Sequence, residues 1–316
     1  MNYSEEAKEE IMKNVLGKDC NSFALLCAVT KCLGAVNIYK NAIALEYEFR
    51  TYEFASVVIA IIKERYDFPL DLSHNAAFPD AFFLKLDSEK SNVILKDLGL
   101  SYLDESGHFV IRDGSAVLQN FGNRIAAQSF AQGLFLCNGS LYMPSDIEER
   151  GGYHLEITFF EEDYALAAQE LFAKCELVFE IVDRENSFAL YNKRSEEICD
   201  ILAFVKAMNS VLLLNDIILK REINNNINRQ TNIFVANADK VGKSNSKYIT
   251  AIDYIETSVG LESMEEKLQV VARARKENVS ESMSGLAERL GVSKSYIARS
   301  LAKILNIAEE IKIGGR

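Results

Sequence analysis

The sequence predicts an α+β fold: a duplicated αββαββα N-terminal half followed by an all-α C-terminal domain. Three observations carry that reading. An apolar helical run that closes on a glycine and leads into two strands occurs twice, about a hundred residues apart. The chain is 48% hydrophobic, 26% charged and 10% aromatic, a profile that can bury cores and is unlike a disordered chain. From Ser282 onward, two stretches of helical spacing are separated by a single glycine, Gly291. At 316 residues the chain has room for about two domains of roughly 150 residues each.

Taken in order, residues 1–20 read as a helical lead, and residues 21–208 as the double repeat, with copies at about 21–110 and 115–208. Residues 23–33 (FALLCAVTKCL) form an apolar helical run that stops at Gly34, read as a helix terminator. Strands are expected at 35–38 and 43–49, the second alternating as IALEYEF, with Lys40 and Asn41 as turn residues between them. A helix over about 52–65 places Phe54, Val58, Ile61 and Ile62 on one side. A strand at about 81–86 precedes a helix from Ser88, capped by Asp87 or Ser88. The second copy opens with a helix over 124–137, closed by Asn138 and Gly139. Strands at 140–143 and 153–159, a helix at about 161–173, and strands at 177–182 and 188–191 follow. A last helix starts at Ser195, where Glu196 and Glu197 favour its N-terminus.

Two apolar helices, each ending in glycine and entering a strand pair, resemble the LAGLIDADG homing-endonuclease scaffold. The motifs are Leu26 to Gly34 (LCAVTKCLG) and Ala131 to Gly139 (AQGLFLCNG), with Ala28 and Gly133 small enough to let two helix backbones approach. In that family the acid just before the last glycine binds divalent ions, because metal-assisted phosphodiester hydrolysis needs hard oxygen ligands. Here those positions hold Leu33 and Asn138, a second motif acid is replaced by Lys31 and Leu136, and neither motif contains any Asp or Glu. The resemblance therefore implies the scaffold without the cutting chemistry: no catalytic residue, no metal and no cofactor are expected.

Other enzyme signatures are missing. No G-x-G-x-x-G, G-x-S-x-G or H-E-x-x-H occurs, and Gly242-Lys243-Ser244 lacks both the earlier glycine, since Asn237 stands there, and a preceding strand. The six cysteines (Cys20, Cys27, Cys32, Cys137, Cys175, Cys199) form no C-x-x-C, and the histidines His74, His108 and His154 are scattered, so reduced thiols rather than a zinc site are expected. Apolar runs such as 55–62 and 211–214 are far shorter than the roughly 18 residues of a membrane span, and the N-terminus shows no secretory pattern. The expectation is a cytoplasmic protein without membrane contact.

Charge is uneven. The whole chain carries −11, but residues 206–316 hold 17 Lys and Arg against 13 Asp and Glu, a net of +4 that leaves −15 for residues 1–205. Any polyanion contact is therefore expected from the tail, with the acidic half open to a protein partner. The tail supplies a specific pattern. Leu286, Ala287 and Leu290 share a helix face, Gly291 turns the chain, Val292 plugs the turn, and Ser293 caps a helix over about 293–305 whose Ile297, Leu301 and Ile304 face inward. Small Ala287, Gly291 four later and Ile297 six after that form the helix-turn-helix pattern. Its second helix presents Lys294, Ser295, Tyr296, Ala298, Arg299, Ser300 and Lys303 outward. Lys294, Ser295 and Tyr296, at its start, are the candidates to reach base edges of double-stranded DNA, with the capping Ser293 beside them; Arg299 and Lys303 are the candidates to reach phosphates, and Arg299 is also able to read a guanine. A helix over about 264–277 is expected to pack Leu268, Val271 and Ala272 inward and present Arg273, Arg275 and Lys276. The Asn-rich stretch 219–237 carries Arg221 and Arg229, with Arg229 the candidate for a polar DNA contact from a helical linker over 209–260.

Several segments together resemble the WhiA family of Gram-positive bacteria. They are Asn228-Arg229-x-x-Asn232, Ala236-Asn237, Ile252-x-x-Ile255-Glu256, Gly260-Leu261, Glu266-Lys267-Leu268 and Val292-Ser293-Lys294-Ser295, with an opening Tyr3-Ser4-Glu5-Glu6-Ala7-Lys8-Glu9-Glu10. That resemblance implies a degenerate LAGLIDADG-like half tethered to a helix-turn-helix over 261–316. It also implies a non-enzymatic, sequence-specific DNA-binding regulator linked to cell division, chromosome segregation and, in spore formers, sporulation. A residual metal-dependent endonuclease and a protein-docking adaptor are the alternatives.

Overall fold

The computed structural model describes residues 2–314 apart from Lys18, Lys40, Asn41, Ala76, Ala77, Gly107, Asp113 and residues 145–150, and omits the side chains of 75–80, 237, 238, 240, 241 and 244. The expected turn residues Lys40 and Asn41 thus lie outside the described residues. The chain divides into two compact units, Met1–Glu222 and Ile223–Arg316.

The first unit opens with α1 (Tyr3–Val15), whose Tyr3, Ala7, Ile11 and Val15 recur every four residues and are all buried. The first copy of the repeat is α2 (Ser22–Leu33), β1 (Gly34–Tyr39), β2 (Ala42–Phe49), α3 (Tyr52–Tyr66), β3 (Leu72–Asn75), β4 (Phe78–Leu86) and α4 (Ser88–Asp97). A small hairpin, β5 (Ser101–Leu103) and β6 (Phe109–Ile111), and the single turn α5 (Ser115–Leu118) lead to the second copy. That copy is α6 (Arg124–Asn138), β7 (Gly139–Tyr142), β8 (His154–Phe159), α7 (Glu162–Ala173), β9 (Glu180–Arg184), β10 (Ser187–Asn192) and α8 (Ser195–Phe204). The long α9 (Met208–Ser258) begins here, and the division between units falls within it.

The two sheets are antiparallel and have the same strand order, β1-β2-β4-β3 and β7-β8-β10-β9, which is the duplication made visible. Alternation sets their faces: Ile43, Leu45, Tyr47 and Phe49 of β2 point into the core, and so do Leu155, Ile157 and Phe159 of β8. Register carries this inward face across the sheet, with Leu45 opposite Leu86 and Tyr47 opposite Leu84. Three strand assignments need correcting. β3 was not foreseen, because its sequence LSHN has almost no strand signal. β9 begins at Glu180 rather than 177, since Leu177 N–H donates to Phe172 O at 3.0 Å and Leu177 and Phe179 fill the core from the turn after α7. The β5–β6 hairpin was also missed, as its three-residue strands are too short to show a period.

Both motif helices start the same way. Asn21 and Asn123 accept from Ala24 N–H at 3.0 Å and from Ala126 N–H at 2.8 Å, satisfying donors that a helix start leaves orphaned. The helices then pack directly together. A Cβ built on Gly133 would lie 2.7 Å from Ala28 Cβ and 2.9 Å from the Leu25 carbonyl oxygen. The closing glycines serve a purpose different from the one first read. Gly34 and Gly139 have φ of −79° and −76°, so neither is left-handed. Space is what they supply: a Cβ there would meet Thr30 O at 2.4 Å and Phe135 Cδ2 at 2.5 Å. Buried polar groups brace the pair, with Gln132 Nε2 donating to Val205 O at 3.1 Å and Thr30 sharing a hydrogen bond with Tyr47 OH at 2.9 Å. The Glu10 carboxylate accepts from Asn209 N–H at the start of α9, a favourable place for negative charge.

The second unit has its own core. Residues from Ile223 in α9, a 3₁₀ turn (Leu261–Ser263), α10 (Glu266–Glu277), α11 (Met283–Arg289) and α12 (Lys294–Gly314) enclose Ile252, Ile255, Val271, Leu286, Ile297, Leu301 and Ile304. Each such side chain contributes about 1.5–3 kcal/mol on full burial. Among the described residues, no helix is long and apolar enough to cross a membrane.

Replacing Gly133 with Ala should destabilise the first unit. The helix-propensity gain of at most about 1 kcal/mol is outweighed by overpacking of about 1–3 kcal/mol against a neighbouring backbone. Urea unfolding followed by circular dichroism would show a lower midpoint. Gly122→Ala, where nothing lies within 4 Å of the added carbon, should leave it nearly unchanged.

Candidate nucleic-acid interface

α11 and α12 are set against each other by the turn between them. Gly291 has φ of +65°, a conformation that costs an L-residue about 1–2 kcal/mol. Its N–H donates to Glu288 O at 3.1 Å and the Val292 N–H to Ala287 O at 2.9 Å, closing α11. Ser282 caps α11 through Gly285 N–H at 3.1 Å, and Ser293 caps α12 through Tyr296 N–H at 3.2 Å. Ala287 is buried between the helices, as the pattern Ala287, Gly291, Ile297 requires. α12 extends to Gly314, well past the expected end near 305, because Ala308 continues the buried face that Ile297, Leu301 and Ile304 begin.

This geometry places Ser293, Lys294, Ser295, Arg299 and Lys303 in solvent and leaves Tyr296 partly buried against the core. Ser300, expected outward, is buried, since it falls on the same stripe as Ile297 and Ile304. Arg229 lies on an exposed part of α9, in which residues 225–236 are all exposed. Arg221 is instead held in the first unit, with Nη1 donating to Gly151 O at 2.8 Å and the guanidinium over the Tyr153 ring at 5.3 Å.

Ion pairing separates the cations of this unit into two sets. Arg273 pairs with Glu262 at 3.3 Å, Lys276 with Asp253 at 2.8 Å and with Glu256, and Arg289 with Glu281 at 3.0 Å. Among the described residues, Lys294, Arg299 and Lys303 have no acidic partner within ion-pair distance; Arg299 Nε donates to the Ser295 carbonyl at 3.2 Å. Lys267 of α10 and Lys243 and Lys247 of α9 are likewise exposed without an ion pair among the described residues, so α12 carries three of the unpaired basic groups of this unit.

Arg275 corrects another expectation. It was read as outward-facing but is fully buried, with Nη1 donating to Glu281 O at 2.6 Å while Nε and Nη2 find no partner among the described residues. Burial pushes its pKa down, with Glu281 and Tyr248 acting against that. Asn245 of α9, also buried, donates to Val279 O at 2.8 Å and to Glu281 O at 3.0 Å. Together they clamp the carbonyls of the loop that enters α11. Sequence reading missed this clamp, since Asn245 sits beside the G-K-S stretch and nothing local marks it as buried. Residues 242–244 themselves lie inside α9, so they cannot form a strand–loop–helix phosphate cradle.

The ends of the paired motif helices do not fit a divalent ion. Leu33 offers no ligand. Asn138 Nδ2 donates to Thr158 O at 3.1 Å, and the Lys31 ammonium occupies this end, paired with Glu161 at 2.8 Å. A fixed cation with its counter-ion stands where the resembling endonucleases hold acids. Among the described residues, no group of three or more His, Cys, Asp or Glu side chains is gathered to bind a metal.

A duplicated LAGLIDADG-like scaffold and a helix-turn-helix in one polypeptide define a helix-turn-helix protein built on a homing-endonuclease-type fold. Comparison with known proteins narrows the class. Residues 127–224 match the WhiA LAGLIDADG-like domain and residues 227–308 the WhiA C-terminal HTH domain. The chain belongs to the WhiA family. A "Probable cell division protein WhiA" of Ligilactobacillus salivarius is 29% identical over 99% of this chain and 98% of its own length. The Bacillus subtilis protein of the same name is 27% identical over the same shares. The solved full-length DUF199/WhiA from Thermatoga maritima has a TM-score of 0.58 at 24% identity, covering 98% of this chain and 99% of that one, a likeness of fold.

Gly291→Ala should lower the stability of the second unit by about 1–2 kcal/mol. Because nothing lies within 4 Å of the added carbon, the loss would come from the backbone alone. Gly291→Asn, which tolerates the left-handed region better, should recover part of it in the same thermal melt.

Proposed function

We propose that this chain is a sequence-specific, double-stranded-DNA-binding regulator of cell division that carries out no chemistry on its target. One observation carries the reading. The second helix of the motif exposes Lys294, Arg299 and Lys303 without acidic partners, whereas Arg273, Lys276 and Arg289 beside it are ion-paired and Arg275 is buried. The first turn of α12, with Ser293, Lys294, Ser295 and Tyr296, reads bases in the major groove; Arg299 and Lys303 hold phosphates, and Arg229 adds a polar contact from α9. The names of the relatives support the cell-division role, and roles in chromosome segregation and sporulation extend it. The acidic first half, with its net −15, docks a protein partner, and the domains divide as 1–20, 21–208, 209–260 and 261–316. The protein works in the cytoplasm, on the nucleoid, without a small-molecule cofactor. Leu33 and Asn138 at the former metal positions, with the Lys31–Glu161 pair at the site of the second motif acid, support the absence of nuclease chemistry.

Selection from a genomic fragment pool at several salt concentrations tests the DNA reading. The intact chain should enrich a preferred site. Lys294→Ala should weaken that site by about 1–3 kcal/mol and relax the preference, as should Arg299→Ala if it reads a guanine. Lys303→Ala should weaken all fragments alike and reduce the salt slope by about 1. Unchanged selection in the Lys294 and Arg299 variants would remove α12 from the reading role. Supercoiled plasmid incubated with Mg²⁺ or Mn²⁺ should stay intact; nicking lost on chelation would mark a nuclease instead.

A further inference from the structure

Each motif helix carries a cysteine two residues before its closing glycine, Cys32 before Gly34 and Cys137 before Gly139. Cys32 lies four residues after Ala28 and Cys137 four after Gly133, so each stands one turn along the face where the helices touch. The Cys32 thiol is a neighbour of the Cys137 thiol and acts on its ionisation. Both are only partly buried, and neither is in a disulfide. Lys8 of α1 acts on Cys137, Glu5 and Arg50 act in turn on Lys8, and Tyr164 lies near both thiols. The remaining cysteines are placed otherwise. Cys27 is buried and donates to Leu98 O, Cys20 meets Ser129, Cys199 meets Asn215, and Cys175 lies near Arg124.

We propose that Cys32 and Cys137 form an oxidation site, a dithiol that a hydroperoxide converts into a disulfide joining the two motif helices. The Cys32 thiolate attacks the peroxide O–O bond; the sulfur takes one oxygen as a sulfenic acid, and the other leaves as an alcohol, or as water when the oxidant is hydrogen peroxide. The Cys137 thiolate then attacks that sulfur, the S–S bond forms, and the sulfenic oxygen leaves with a proton as water. Two thiols lose two hydrogens, and the peroxide gains two electrons. Cys32 is the thiol that reacts first with the peroxide, because burial, followed by the adjacent Cys32 thiol, holds the Cys137 pKa well above its ordinary value, although the Lys8 charge pulls it down. One turn before the two cysteines the helices are so close that a Cβ on Gly133 finds no room, and a disulfide needs Cα atoms only about 4.4–6.8 Å apart. The bond would close a loop of roughly a hundred residues, a large constraint on the unfolded chain.

The experiment uses the full-length chain with hydrogen peroxide, followed by alkylation of free thiols and non-reducing peptide mapping. The expected product is a single linked peptide pair containing Cys32 and Cys137, two hydrogens lighter than the reduced pair, with the other four cysteines alkylated and the melting temperature raised. In Cys137→Ser, Cys32 should stop at the sulfenic acid and react with dimedone; Cys32→Ser should give no adduct at Cys137 and no rise in melting temperature. Cys32→Ala serves in place of Cys32→Ser if the serine variant does not fold. A linked pair involving any other cysteine, or independent over-oxidation of both thiols without a link, would overturn the assignment.

Discussion

The contact between Ala28 and Gly133 is the constraint on which the first unit depends. A helix normally keeps its neighbour 8–10 Å away through side chains, but here one helix has a methyl group and the other no side chain at the crossing, and a Cβ on Gly133 would lie 2.7 Å from Ala28 Cβ. With the helices this close, the strands that follow Gly34 and Gly139 start from equivalent positions, and two sheets of identical order can be laid down by two copies of one pattern. The closing glycines belong to the same constraint. Their backbone is ordinary, but the space beside them is already filled by Thr30 O and by the Phe135 ring. Three of these four positions need glycine and the fourth tolerates a methyl group, all for steric reasons.

Close packing also bears on what can stand at the ends of the helices. Two carboxylates side by side at such a crossing repel each other unless a dication sits between them. With Leu33 and Asn138 there, that repulsion is gone and the pair can close without an ion. Lys31 adds a counter-charge of its own in its 2.8 Å pair with Glu161. The Glu161 side chain is about half exposed, so such a pair contributes only a few tenths of a kcal/mol to about 1 kcal/mol. The packing, then, holds this end together, and the charges only suit it. What the chain keeps from the scaffold is shape.

The motif helices and the larger strands were legible because burial writes a period into the sequence: Leu45, Tyr47 and Phe49 alternate, and Ala7, Ile11 and Val15 recur every fourth residue. The helix-turn-helix was legible for a stronger reason, since one position needs a small side chain, one needs φ near +65°, and one needs a branched plug. What stayed hidden depends on long-range placement. β3 is held by its pairing with β4 and not by its own residues. Arg275 looks like any surface arginine in the run ARARKE, and only the fold shows that it turns inward to the loop carbonyl of Glu281. Ser300 is small and polar, yet the helix carries it onto the buried stripe. The meeting of Cys32 with Cys137 is of the same kind, as their separation in sequence says nothing until the two helices are laid together.

The charge of the whole chain, −11, does not weigh against the proposed DNA contact, because the range of the interaction decides which charges count. At physiological ionic strength, exposed charges more than about 8 Å apart are largely screened, so a duplex along α12 would respond mainly to the groups on that helix and its immediate neighbours. There Lys294, Arg299 and Lys303 are exposed without acidic partners, whereas Arg273, Lys276 and Arg289 have their charge returned by Glu262, Asp253 and Glu281. Two phosphate contacts, by Arg299 and Lys303, correspond to a salt slope of about −1.8, or roughly a 12-fold loss between 50 and 200 mM salt. That is a modest electrostatic term. Selectivity in the proposed mode must therefore come from the fit of the first turn of α12 in the groove, and that fit rests on the Gly291 turn and the Asn245–Arg275 clamp that set the angle of the helix.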